Sequence, residues 1–240
     1  EVRDIISDII VEEIALELKR LDAGKFTAKG WYTEKIVNAM KEMQKLFPEI
    51  KDPLQRDLYK MVTSITSNNQ AVRINSNYAA GEYRKYLEIG KFDENFKGGG
   101  KARLAMQKHF GYLNMIIERH GLPATMEFLT SKFKANELEI IGKEEFNPKF
   151  KINELADTDV YGAIIFGSKV GNGFFPNLLG DHNALTQDMW FMRTIGRIRG
   201  NLVERNYGTN LKKFRQELLD RGAGKYHQYG LKRKDVIEEN

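Results

Sequence analysis

The sequence contains no cysteine, only five prolines in 240 residues, and few histidines. Without cysteine the chain has no disulfide, no thiol nucleophile and no thiolate ligands for zinc or an iron–sulfur cluster, which fits a reducing compartment. The four histidines do not have the spacing of a metal site; they are His109, His120, His182 and His227. We therefore expect no cofactor and no metal.

Long apolar runs are also missing. No stretch approaches the roughly 18 to 20 apolar residues of a membrane span, and no secretory signal pattern is visible. With 41% hydrophobic and 30% charged residues, the composition is that of a globular protein. We expect a cytoplasmic protein that acts as a monomer.

Positive charge is concentrated near the end of the chain. Residues 190–240 hold twelve Lys or Arg against six Asp or Glu, whereas the rest of the chain holds 26 and 27. A local basic surface is typical of proteins that bind polyanions such as DNA. The alternative is a solvated helix face.

Helical spacing of apolar residues runs through most of the chain, without an internal repeat or a series of alternating strands, and predicts a mainly α fold. We expect one compact helical unit over residues 1–240, with two lobes, one of residues 55–150 and one of residues 1–54 with 151–240. The predicted helices cover residues 6–21, 33–47, 53–65, 71–89 with a possible break near Gly81, 103–119, 123–133, 158–166 after an Asp157 N-cap, and 169–179. Residues 136–150 are ambiguous, and residues 97–101 are expected to be a flexible surface loop.

The helix that begins at Asp52-Pro53 has a clear start, because an N-cap acceptor precedes a proline in the first helical position. Its apolar positions should be buried; they are Leu54, Leu58, Met61, Val62 and Ile65. It runs into a polar string that ends in Asn68, Asn69 and Gln70. These side chains are either helix-end turn chemistry or a loop placed to touch DNA bases.

Residues 162–200 concentrate the features that suggest chemistry. Four glycines surround Lys169, and a glycine-rich turn at a helix start exposes N–H groups to which a phosphate can bind. After a turn at Gly180, Asp188 opens a segment with Trp190, Arg193, Arg197 and Arg199. A carboxylate alone among bases suggests catalysis, although aspartate is also common as an N-cap.

Three pieces of the sequence, in this order, resemble the helix–hairpin–helix DNA glycosylase superfamily of the endonuclease III type. The helix from Asp52-Pro53 to Asn68-Asn69-Gln70 is similar to the one whose terminal loop inserts beside a flipped base. Gly167-Ser168-Lys169 resembles the hairpin glycine and the lysine nucleophile of bifunctional members. Thr186-Gln187-Asp188 with Arg193 resembles the aspartate motif. The resemblance covers residues 35–205, but Ile164 and Ile165 replace the hairpin's proline and first glycine.

Residues 167–171, 174–178 and 188–193 are closest to the branch known as α-glutamyl/putrescinyl-thymine pyrophosphorylases, which are associated with hypermodified phage DNA. The resemblance implies a helical cleft around DNA, with Asp188 catalytic and Lys169 a nucleophile or a phosphate contact. DNA would be held by Asn68, Asn69, Gln70, Gly167, Ser168, Gly171, Arg193 and Arg197. Trp190 would wall the base pocket or, at helical spacing, belong to the core.

The resemblance implies three alternative functions. The first is a glycosylase that excises a modified pyrimidine from double-stranded DNA, a base excision step that a host can use in phage defence. The second is a transferase that hypermodifies the base on the same fold. The third is a DNA-binding module without catalysis.

Overall fold

The computed structural model describes residues 36–68 and 70–186, together with Val11 and Ala15. Backbone contacts separate Gly30–Thr186 from a unit formed by Glu1–Lys29 and Gln187–Asn240. The helices and strands from Val37 to Leu179 all lie in Gly30–Thr186. Helices dominate the described residues, which confirms the mainly α prediction. None of the described helices combines the length and the apolar content that a bilayer crossing demands.

The helices and strands follow one another with short connections. The α-helices are α1 (Val37–Leu46), α2 (Pro53–Thr66), α3 (Val72–Ile89), α4 (Arg103–Thr130), α5 (Ala135–Glu145) and α6 (Phe175–Leu179). The strands are β1 (Lys132–Lys134) and β2 (Asp159–Tyr161). Three 3-10 helices cover Pro48–Lys51, Gly100–Ala102 and Gly162–Phe166, and a π-helix covers Val170–Phe174.

Helix α2 is the centre of the unit. It begins where the sequence predicts, because the Asp52 carboxylate accepts a hydrogen bond from Gln55 N at 3.0 Å and Pro53 needs no N–H partner in the first turn. The predicted core positions from Leu58 to Ile65 are fully buried, whereas Leu54 is half-buried. Helix α2 contacts α3, α4, the π-helix and α6.

One hydrophobic core joins the helices to the glycine-rich segment. Leu58 of α2, Tyr83 of α3, Phe110 of α4, Phe166 and Phe175 all belong to the same buried cluster. A smaller cluster lies between the two strands and α5, around Leu138, Val160 and Ile164. Residues 162–179 are therefore packed into the centre of this unit.

The long helices match the sequence expectations at one break and do not have the other. Helix α3 continues through Gly81 without a break and ends before Gly90, which has φ +72°. Helix α4 is broken at Gly121, where φ is +77° and ψ is 161°, between the predicted helices over residues 103–119 and 123–133. The ambiguous residues 136–150 form α5 and the loop after it.

The predicted helix over residues 158–166 was wrong. Strand β2 occupies its first half and pairs antiparallel with β1, with Phe133 opposite Val160. Val160 is a β-branched residue and is fully buried against Leu138 and Ile164. The second half is a single stretch of 3-10 helix that begins after Tyr161, so Asp157 caps no helix.

Candidate nucleic-acid interface

Part of the predicted site lies outside the described residues. Asn69, Asp188, Trp190, Arg193 and Arg197 belong to this part, as does Arg199. Their assigned roles stay predictions. The described part of the site comprises the glycine segment, the turn that leads toward Asp188, and the loop after α2.

Gly167 makes the turn between the 3-10 helix and the next helical segment. Its φ of +93° and ψ of 153° are values that favour glycine, and it is exposed with open space around its Cα. Its N–H donates to Ile164 O at 2.6 Å, and its carbonyl accepts from Gly171 N at 2.8 Å. A short helical segment, a glycine turn and a second helix therefore follow one another, with the second helix beginning at Ser168.

The hydroxyl and the lysine after this glycine lie at the start of the second helix. Ser168 is half-buried, and its Oγ donates to Glu154 Oε1 at 3.0 Å. Lys169 is half-buried as well. A carboxylate on Ser168 is an unfavourable neighbour for a phosphate group, because the two negative charges repel. DNA contact at Ser168 would require Glu154 to move aside.

Gly171 and Gly173 are positions of close approach. A Cβ on Gly171 would overlap the carbonyl oxygen of Ala163 and lie 2.7 Å from Ile164 N. A Cβ on Gly173 would lie 2.7 Å from Thr186 Cα. The Gly171 N–H already donates to Gly167 O within buried surroundings. Packing alone therefore explains the glycine at position 171, which the sequence assigned to DNA contact.

The turn from Gly180 to Thr186 is held by the buried side chain of Asn177. Its Nδ2 donates to Asp181 O at 2.9 Å and to Ala184 O at 2.7 Å, and its Oδ1 accepts from Thr186 Oγ1 at 2.7 Å. Both amide hydrogens of Asn177 are thus engaged in hydrogen bonds. Asn177 fixes the chain up to two residues before Asp188.

A second set of contacts ties the same turn to the strand pair. The Tyr161 hydroxyl donates to Asp181 Oδ2 at 2.5 Å, and Lys132 Nζ lies 4.9 Å from the centre of the Tyr161 ring and 3.9 Å from Asp181 Oδ2. Burial and the Asp181 hydrogen bond raise the pKa of Tyr161 to about 12. The Tyr161 hydrogen bond in turn lowers the pKa of Asp181. The turn keeps a negative charge at Asp181 and a neutral phenol at Tyr161.

The loop after α2 is tied to a second loop. Gln70 Nε2 donates to Asn68 O and to Gly99 O, each at 3.1 Å, so both of its amide hydrogens are engaged. The end of α2 is also joined to α3, because Thr66 Oγ1 lies 2.5 Å from Asn75 Oδ1. The Gln70 amide donors are thus not available to read a base in this arrangement.

Residues 97–101 lie at the surface, as the sequence predicts, with Lys97, Gly100 and Lys101 exposed, but Gly98 and Gly99 are packed against other residues. Gly99 is buried, and a Cβ on Gly98 would lie 2.5 Å from Phe96 Cζ and 2.7 Å from Tyr78 Cζ. Tyr78 and Phe96 pack edge to face with their ring centres 5.0 Å apart. The loop therefore runs directly over an aromatic pair, and glycine is needed because no side chain fits.

Sequence reasoning missed three of these positions. Asn177 interrupts the apolar run Phe174-Phe175-Pro176 and Leu178-Leu179, and an amide in an apolar run is a signal for a buried hydrogen-bonding role. Tyr161 and Asp181 are twenty residues apart and gave no local signal. Comparisons of the chain with family models, curated proteins and solved structures found no significant match.

Proposed function

We propose that the protein is a DNA N-glycosylase of the helix–hairpin–helix kind, which removes a modified pyrimidine flipped out of double-stranded DNA. One observation supports this proposal most directly. Helix α2, which ends at the Asn68–Gln70 loop, packs against the π-helix and α6, which follow Lys169 in the chain. The two motifs that resemble the glycosylases are far apart in sequence and belong to one packed unit.

The turn before Asp188 supports the same proposal. A catalytic carboxylate must be held in place, because misplacement by about 1 Å costs orders of magnitude in rate. Asn177 and Tyr161 fix residues 180–186 from two sides. These hydrogen bonds anchor the chain up to Thr186, two residues before Asp188 in the sequence.

In this mechanism the base leaves as positive charge develops on the sugar, as in other glycoside cleavages. The Asp188 carboxylate stabilises that charge or orients the attacking water. The target base is flipped into a pocket with Trp190 as a wall. Asn68 and Asn69 fill the gap in the stack, while Arg193 and Arg197 hold phosphates.

Substitution of Asp188 by Asn tests the reaction. The protein is incubated with duplex DNA that carries hypermodified pyrimidines, and abasic sites are measured by alkali cleavage and mass spectrometry. We expect Asp188→Asn to abolish product while DNA affinity is kept, and Asp157→Asn, at an exposed aspartate of Gly30–Thr186, to have no effect. Retained product in Asp188→Asn would exclude the catalytic role.

The same assay separates the alternatives. Intact strands with an altered base mass would identify a transferase, and binding without any mass change would identify a non-catalytic module. Borohydride trapping addresses Lys169, since a Schiff-base nucleophile needs an unprotonated amine and gives a covalent protein–DNA adduct. Absence of the adduct would leave base removal without strand cleavage.

A further inference from the structure

Two loops from different parts of the chain form one surface, which we call the two-loop surface and define as residues 67–68, 70–73 and 97–103. The Gln70 side chain joins them through Gly99 O. Gly98 is held over the ring of Tyr78, which belongs to α3. The loops therefore have a fixed spatial relation, although 29 residues separate Gln70 from Gly99.

The segments that carry these loops contain no acidic residue. Asp and Glu are absent from residues 58–81 and from residues 95–117, although the chain has 33 of them in 240 residues. A third acid-free stretch, residues 160–180, contains the π-helix and α6. Residues 58–66 of helix α2 lie in the first stretch, and α2 contacts elements of the other two. The acid-free parts of the sequence are thus neighbours in the fold.

The cations of the two-loop surface are exposed. Arg73, Lys97, Lys101 and Arg103 are all exposed, and the described residues offer them no carboxylate within ion-pair distance. In contrast, Lys85 and Lys91, just outside the acid-free stretches, are paired with carboxylates. Exposed cations without a carboxylate at ion-pair distance give this described surface a positive potential.

Apolar side chains stand beside these cations. Val72 at the start of α3 is 62% exposed, and Leu104 at the start of α4 is 75% exposed. Proteins that hold bent duplex DNA commonly place an exposed apolar side chain among basic ones. This combination matches a partner that presents phosphates next to stacked bases.

We propose that the two-loop surface binds the phosphate backbone of duplex DNA through Lys101 and Arg103. In this proposal the Gln70 side chain positions the two loops relative to each other through its hydrogen bond to Gly99 O. The choice of DNA as the polyanion rests on the proposed function. The cations make the contacts, because the Gln70 amide donors are engaged within the protein. The surface is additional to the basic residues after Asp188.

The salt dependence of DNA affinity tests this assignment. Each lysine or arginine on a phosphate releases counterions, so the slope of log K against log salt changes by about 0.9 for each contact. Binding of a fluorescently labelled duplex is measured by anisotropy between about 50 and 200 mM salt. We expect the Lys101→Gln/Arg103→Gln variant to lower the magnitude of the slope by about 1.8.

The control removes the same charge elsewhere. Lys149 and Lys151 are exposed in the loop after α5, and Lys149→Gln/Lys151→Gln should keep the wild-type slope. The exchange Lys101→Arg/Arg103→Lys keeps both charges and should also keep it. Circular dichroism establishes that every variant is folded. An unchanged slope in Lys101→Gln/Arg103→Gln, or an equal loss in the control, would overturn the assignment.

Failure of this inference and failure of the proposed function give different results. If abasic product forms and the salt slope is unchanged, the glycosylase proposal is supported and the proposed DNA contact of the two-loop surface is refuted. If the magnitude of the salt slope falls as expected and no DNA yields abasic sites, the DNA contact of the two-loop surface is supported and the glycosylase proposal is refuted. Absence of DNA binding by the wild-type protein would overturn the surface outright.

Discussion

Substitution of Gly171 by alanine separates a packing role from a DNA-binding role at the glycine turn. In the structure the Cα of Gly171 lies directly against the carbonyl group of Ala163, and a Cβ would also lie 2.7 Å from Ile164 N. Both neighbours are backbone atoms of the 3-10 helix, so they cannot rotate away as a side chain does. Alanine would therefore force the 3-10 helix and the π-helix apart.

The expected cost is large for a single methyl group. Overpacking in a core usually costs about 1–3 kcal/mol, and a clash with backbone belongs at or above the top of that range. We therefore expect Gly171→Ala to lower the free energy of unfolding by about 3 kcal/mol or more, a large share of the roughly 5–15 kcal/mol of a typical domain. Gly81 is the matched control, because it lies within α3 with nothing within 4 Å of a Cβ. Gly81→Ala should raise stability by about 0.5–1 kcal/mol.

Urea unfolding followed by circular dichroism measures both variants, and the midpoint is compared at constant m-value. DNA affinity is then measured below the unfolding transition, where each protein is folded. If Gly171→Ala keeps its stability within about 0.5 kcal/mol and loses DNA affinity, the glycine serves DNA contact and the packing explanation is wrong.

Three further predictions concern buried polar groups. Asn177→Leu loses three hydrogen bonds and should destabilise by about 0.5–1.5 kcal/mol for each. Asn183→Ala, in the exposed part of the same turn, should be near neutral, and equal urea midpoints of the two variants would contradict this. Burial lowers the pKa of His109 from 6.5 to about 4, so the unfolded chain takes up a proton first as pH falls. The free energy of unfolding should therefore drop by about 3 kcal/mol between pH 6.5 and 4, and His109→Leu should remove that part of a pH titration of stability. Gln70→Glu keeps the side-chain size but loses both amide donors, so it should lower the free energy of unfolding by about 1 kcal/mol and weaken DNA binding. Gln107→Glu is the control: it loses the hydrogen bond to Phe96 O and should lower the free energy of unfolding without weakening DNA binding.

The sequence was sufficient where structure is decided locally. The start of α2 follows from one carboxylate and one proline, and its buried face follows from the spacing of Leu58, Met61, Val62 and Ile65. The stop at Gly121 likewise reflects a glycine that adopts positive φ. These features depend on neighbours within one or two helical turns.

Long-range contacts decided the places where sequence reasoning failed. Strand β2 forms because it pairs with residues 132–134. The sequence pattern of residues 158–166 does not indicate that pairing. Gly171 and Gly173 belong to the predicted phosphate-binding turn and Gly98 to the predicted surface loop, yet a Cβ at each would clash with Ala163, Thr186 and Tyr78, respectively. Only the folded distances show whether a glycine makes room for a ligand or for the protein itself.

The link between Gln70 and Gly99 has a consequence for the entropy of binding. A flexible loop loses conformational freedom when it is ordered by a ligand, at about 1–2 kcal/mol for each residue fixed. Two loops that folding has already fastened to each other leave little of that loss for the moment of encounter. For any ligand that touches both loops, contact with the first should bring the second into place with no separate ordering step.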